Sequence, residues 1–163
     1  LLFDKFIAQT TVASQQRLNV MRCHLLVPIA VPDGVIVEIA SMDYRGFASL
    51  PQGSTGQLRS TYSFLGRFDR NGGVFRGLDP NAYAVHLTQQ FLGPINEGYV
   101  VSSDVINERQ AISKCGGVNV LRLSNVLRIT NTVPADSLLT LDSLDGVAQE
   151  LVERPKVVFH ALD

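Results

Sequence analysis

The densest group of chemically capable side chains in this sequence is Asp43-Tyr44-Arg45-Gly46-Phe47. Arg45 offers a planar fork of five donors suited to a carboxylate, and Tyr44 adds a ring with a polar tip. With Tyr62, these residues could hold a carbohydrate or another small ligand at one end of a β-sandwich. The same residues also suit a scaffold. Asp43 and Arg45 would anchor the end of a strand by hydrogen bonds, while Gly46 would permit a positive φ or a bulge. We favour the scaffold reading.

The remaining candidates converge less. His24, His86 and His160 lie more than 60 residues apart, each in a β-prone run where it faces solvent or a hydrogen-bond partner. Their spacing suits neither a metal site nor a shared catalytic role. Asp142-Ser143-Leu144-Asp145-Gly146, with Asp136 nearby, is rich in oxygen. It lacks the alternating ligands and downstream Glu of a calcium loop. A turn in which Asp side chains bond backbone amides explains it better. Neither glycine-rich phosphate pattern occurs, nor a nucleophile elbow. No catalytic residue, cofactor site or metal site emerges. Cys23 and Cys115 stand 92 positions apart without paired-cysteine spacing, so a disulfide and two free thiols both fit the count.

The bulk composition bounds what these residues can belong to. The 163 residues are 45% hydrophobic and 18% charged, which is neither a disordered nor a fibrous composition. That length suits one domain, 1–163, with a core of its own. Trp is absent and aromatics make up 7%, so aliphatic side chains must fill the interior. A net charge of -1, with acids and bases spread along the chain, gives no electrostatic case for nucleic acid or an anionic membrane. No apolar run reaches the roughly 18 residues of a membrane span. The first residue is Leu1, and any signal peptide is expected to be already missing.

Period-2 patterning places the candidates on strands. Cys23, Leu25, Val27, Ile29 and Val31 share one face, Asp33-Gly34 marks a turn, and Val35, Val37 and Ile39 resume, so that 23–39 reads as a hairpin. Leu50-Pro51-Gln52-Gly53 turns the chain into an alternating strand carrying Leu58, Ser60, Tyr62 and Phe64. Leu121, Leu123, Leu127 and Ile129 form the clearest half-buried strand. Asp145-Gly146 reads as a further turn, Val157–Leu162 as the last strand, and Leu1–Ala8 as a first strand with Phe3 and Ile7 on one face. One short helix fits 103–112, capped by Ser103 or Asp104. The expected fold is all-β, an antiparallel β-sandwich of about eight short strands.

An ordered set of segments carries a resemblance. It comprises Leu2-Phe3-Asp4-Lys5-Phe6, Cys23 with Val27–Gly34, Asp43–Phe47, Gly53, Tyr62–Gly66, Phe75-Arg76-Gly77, Ser113-Lys114-Cys115, Leu121-Arg122-Leu123 and Leu141–Gly146. In this order they resemble a family of secreted fungal and bacterial proteins known only as a domain of unknown function. The resemblance spans nearly the whole chain and is thinnest over 78–112. It implies export to an oxidising compartment and hence a Cys23–Cys115 disulfide. Such a bridge would stabilise the fold by roughly 4 to 5 kcal/mol in a chain-entropy treatment. Family members carry four cysteines, of which these resemble the middle two, so both ends are expected to be truncated. The family brings no catalytic residues with it.

The expected function is therefore that of a secreted, extracellular, non-enzymatic protein, a structural subunit of an assembly, filament or matrix. Its partners would be further copies of itself or matrix components, met through the strand edges of Leu1–Ala8 and Val157–Leu162. A glycan held by Asp43, Tyr44, Arg45 and Tyr62 is the alternative, weakened by the missing Trp. A hydrolytic site dispersed over 78–117 has no motif behind it.

Overall fold

The computed structural model describes residues 1–67, 76–77, 84–104 and 111–152. Among these, eleven strands form two antiparallel sheets. The six-stranded sheet contains β1 (Ile7–Thr10), β3 (Val35–Leu50), β7 (Ile95–Asp104), β8 (Ala111–Ile112), β10 (Ser137–Thr140) and β11 (Ser143–Val152). The five-stranded sheet contains β2 (Leu18–Val31), β4 (Ser54–Arg67), β5 (Arg76–Gly77), β6 (Val85–Leu92) and β9 (Gly117–Asn131).

Each sheet is built around one long central strand. Strand β3 carries β10 and β11 along one edge and β7 and β8 along the other. Strand β9 lies between β2 and β4, and β4 carries β5 and β6 on its far side. The alternation in the sequence explains why. On β9, Leu121, Leu123, Leu127 and Ile129 are buried while Arg122, Ser124 and Arg128 are not. On β4, Leu58, Tyr62 and Phe64 point into the same core. From the opposite sheet, Tyr44, Leu50 and Leu139, with Leu141 just after β10, meet them at 2% exposure or less. Fully burying each such aliphatic side chain contributes about 1.5–3 kcal/mol.

The all-β sandwich expected from the sequence is the fold observed, and the structure corrects several of its details. The Asp33-Gly34 turn forms, with Gly34 at φ 77 and the Val35 amide donating to the Pro32 carbonyl at 3.2 Å. It does not close a hairpin, because β2 and β3 lie in different sheets. The Pro51–Gly53 turn behaves alike and carries the chain from β3 into β4 of the other sheet. A turn signal dictates reversal of the chain, not which sheet receives it.

Asp145-Gly146 is no turn at all: both residues lie within β11, opposite Asp43 and Met42. A Cβ on Gly146 would sit 3.0 Å from the Met42 sulfur, so glycine serves close packing there. The helix expected at 103–112 is overturned at both described ends, since Ser103 and Asp104 end β7 and Ala111–Ile112 form β8. The β-branched pair Val100-Val101 and the pairing of Ser103 with Met42 hold that stretch extended. Near the N-terminus, Phe6 and Ala8 are buried and Ile7 is exposed, so Ile7 and Phe6 lie on opposite faces. The segment is already paired within its own sheet, through β1 with β10 and a bridge between Leu2 and Ser143. Residues 157–162 lie outside the described residues.

Candidate functional site

The Asp43–Phe47 cluster sits in the middle of β3, not at its end, and alternation divides it between two environments. Asp43 and Arg45 face outward. Register sets Asp43 directly opposite Asp145 of β11, an arrangement of like charges that destabilises a ladder. Arg45 relieves it, its guanidinium lying 3.7 Å from Asp145 and 4.0 Å from Asp43. On the other flank the Ser102 hydroxyl donates to Asp43 Oδ1 at 2.5 Å. The side chains of Arg45 and Asp145 are more than half exposed, so these pairs contribute little to stability.

Tyr44 and Tyr62 face inward and are fully buried. Their hydroxyls cross the sandwich in opposite directions. The Tyr44 hydroxyl, from the six-stranded sheet, donates to Ser60 Oγ at 2.8 Å, and Ser60 donates to Asn125 Oδ1 at 2.7 Å, both in the five-stranded sheet. Tyr62 returns from β4 to Ser103 Oγ on β7 at 3.0 Å, and Ser103 Oγ accepts the Met42 amide at 3.2 Å. Loss of solvent on burial pushes both phenol pKa values up, against the smaller opposing effect of their serine partners. The four residues offered as an alternative ligand site are therefore split between an outward ion-paired row and an inward brace.

Gly46 has a different use from the positive φ expected of it. A Cβ there would collide with the Thr140 carbonyl oxygen and the Tyr99 hydroxyl. Tyr99, opposite Gly46 on β7, lies against that space and donates to the Thr140 carbonyl at 2.5 Å. Desolvation, and secondarily the Asp142 carboxylate, raises the pKa of its phenol.

The histidines separate too. His24 Nδ1 lies 3.0 Å from Ser124 Oγ, and His86 Nδ1 lies 3.0 Å from Thr61 Oγ1, all on the outer face of the five-stranded sheet. His160 falls outside the described residues. Among the described residues, no group of three or more His, Cys, Asp or Glu side chains could hold a metal ion. Asp142 immediately precedes β11, its amide donating to the Arg45 carbonyl at 2.8 Å, while Asp136 Oδ1 accepts the Val12 amide at 2.8 Å.

The Cys23–Cys115 disulfide is corrected, because both cysteines are free thiols. Cys23 pairs with Asn125 near the middle of β2, whereas Cys115 lies just before Gly117, which pairs with Val31 at the end of that strand. Eight residue steps at ~3.3 Å put roughly 26 Å between the two register positions. A disulfide needs Cα atoms within about 7 Å.

Sequence reasoning missed the polar partners of the brace, Ser60, Ser103 and Asn125. It also missed a second buried cluster, in which Asn131 Nδ2 donates to Thr10 Oγ1 at 2.8 Å and Ser137 Oγ donates to Asn131 Oδ1 at 3.0 Å. Asn125 and Asn131 fall in phase with Leu121, Leu123, Leu127 and Ile129 on β9, which is the signal that could have found them.

With this geometry in place, the comparisons with known proteins define the class. Residues 1–153 match the family described as "Domain of unknown function (DUF4360)", and the chain belongs to that family. It is similar to an "Uncharacterized secreted protein" of the fungus Arthroderma benhamiae, 27% identical over 153 residues. That match covers 93% of this chain and 57% of the relative, so the chain spans little more than half of that protein's length.

Proposed function

We propose that this is a secreted, non-enzymatic protein that acts through its surfaces as a structural subunit of an extracellular assembly or matrix. The secreted fungal relative supports export. The observation that carries the structural role is the outer edge of β2. This strand runs for 14 residues and, among the described strands, pairs only with β9. Its open main-chain donors and acceptors form a template for another strand. Leu18 and Leu26 project from it at 51% and 59% exposure. Pro28 is tolerated because an edge strand can spare a donor. The non-enzymatic reading draws support from the placement of the titratable groups, since Arg45 pairs with carboxylates on an open sheet and His24 and His86 bond hydroxyls.

Sedimentation velocity over a wide concentration range tests this reading. We expect reversible oligomers, which Leu26→Lys shifts toward monomer by placing a charge on the docking edge. A strictly monomeric particle at high concentration, or oligomers indifferent to Leu26→Lys and Leu18→Lys, would reject it.

A further inference from the structure

The two sheets carry opposite charge. Strands of the five-stranded sheet contain six arginines (Arg22, Arg59, Arg67, Arg76, Arg122 and Arg128) and no Asp, Glu or Lys. Strands of the six-stranded sheet contain Arg45 against six carboxylic residues: Glu38, Asp43, Glu97, Asp104, Asp145 and Glu150. The overall net charge of -1 conceals this separation.

Register arranges part of the basic set on one outward face. Arg22 and Arg59 occupy a single cross-strand row on either side of Val126, about 10 Å apart at the usual strand spacing. Arg128 stands one row away on β9, and Arg122 two rows away in the other direction. Arg22, Arg59 and Arg128 are exposed and Arg122 half-buried. Beside Arg128 the face dips into a hollow of about 270 Å³ lined by Thr55, Gln57, Gln90, Arg128 and Thr130. Its lining thus combines hydroxyls and amides, which both donate and accept, with one guanidinium fork.

We propose that this face binds a linear acidic polysaccharide. Arg22, Arg59 and Arg128 hold its carboxylates, and the hollow beside Arg128 holds the hydroxyls of one sugar unit. Charge complementarity identifies the partner as an anion, because no carboxylate on these strands competes for the arginines. The neutral hydrogen-bonding lining points to a hydroxyl-bearing polymer. Tyr62, Phe64 and Phe91, the aromatic residues of these strands, are buried. The face therefore offers no Phe, Tyr or Trp ring as a stacking platform for nucleobases, and its two imidazoles, His24 and His86, are bonded to Ser124 and Thr61. This role uses side chains of the sheet face, whereas assembly through β2 uses its main-chain edge.

Isothermal titration of the protein with polygalacturonate provides the test, with neutral dextran, dextran sulfate and duplex DNA as parallel arms. We expect binding to polygalacturonate, no binding to dextran, and weaker binding to the other two polyanions. Arg59→Ser and Arg128→Ser should each weaken polygalacturonate binding about tenfold, the equivalent of one charge-assisted contact. Arg45→Ser, on the opposite sheet, should leave it unchanged. Unaltered circular dichroism of each variant establishes that the fold persists. Failure to bind polygalacturonate overturns the proposal, as does equal binding of dextran, tighter binding of DNA or dextran sulfate, or an equal loss with Arg45→Ser.

Discussion

Gly46 shows how one missing side chain supports a sheet centre. Tyr99 reaches over it to the Thr140 carbonyl, and an alanine methyl would occupy the space that closes this contact. Gly46→Ala should therefore destabilise the protein by about 1–3 kcal/mol, as overpacking does in a close-packed core. Urea denaturation measures this, and an unchanged midpoint would show that both Tyr99 and the Thr140 carbonyl can move aside. The Tyr44–Ser60–Asn125 chain makes a contrasting prediction. Tyr44→Phe alone should cost about 1 kcal/mol by removing one buried hydrogen bond. Replacing all three, as Tyr44→Phe with Ser60→Ala and Asn125→Leu, removes donors and acceptors together and should cost less than the sum of the three singles. Among the described residues Asn125 Nδ2 has no hydrogen-bond partner, so its removal adds to that offset. Additive losses on denaturation would show that the chain acts as three independent side chains.

Strands were more legible than their partners. The alternation on β2, β4 and β9 follows from which side chains must leave water, and 2-residue periodicity states that directly. Pairing is not local information. Val31 and Val35 flank an evident turn yet enter different sheets, because the partners of β2 and β3 come from residues 117–131 and 95–152. The Asp43–Arg45 outward row falls in the middle of β3 and not at the strand end the sequence suggested, and the division of Tyr44 and Tyr62 to the interior required knowing which face of β3 meets β4. The cysteines failed for the same reason, since their separation depends on the β2–β9 register. At this scale the prediction concerns redox state. Cys23 and Cys115 should both react with a thiol reagent in the unfolded, unreduced protein. Cys23→Ser should not remove the roughly 4 to 5 kcal/mol that a bridge closing so long a loop would supply. One thiol equivalent or fewer per chain would restore the disulfide.

For the molecule as a whole, tyrosines join the two sheets while charge distinguishes them. The sequence disclosed neither: net charge averages over the sheets, and the tyrosine partners are serines and an asparagine with no motif of their own. The joining role gives a pH dependence whose sign follows from burial. The phenols of Tyr44, Tyr62 and Tyr99 have raised pKa values in the folded state, so the fold binds their protons more tightly than the unfolded chain does. Below the unfolded value of about 10, both states are protonated and stability is fully present. As pH rises past about 10, the unfolded chain releases these protons first, and stability falls with increasing pH. Of the four tyrosines in the chain, these three should ionise only as the sandwich opens. Tyrosinate absorbance followed alongside circular dichroism will measure this: most of the ionisation should coincide with loss of the β-sheet signal. Ionisation of these tyrosines near pH 10 with the sheets intact would mean that the fold does not hold the three phenols away from water.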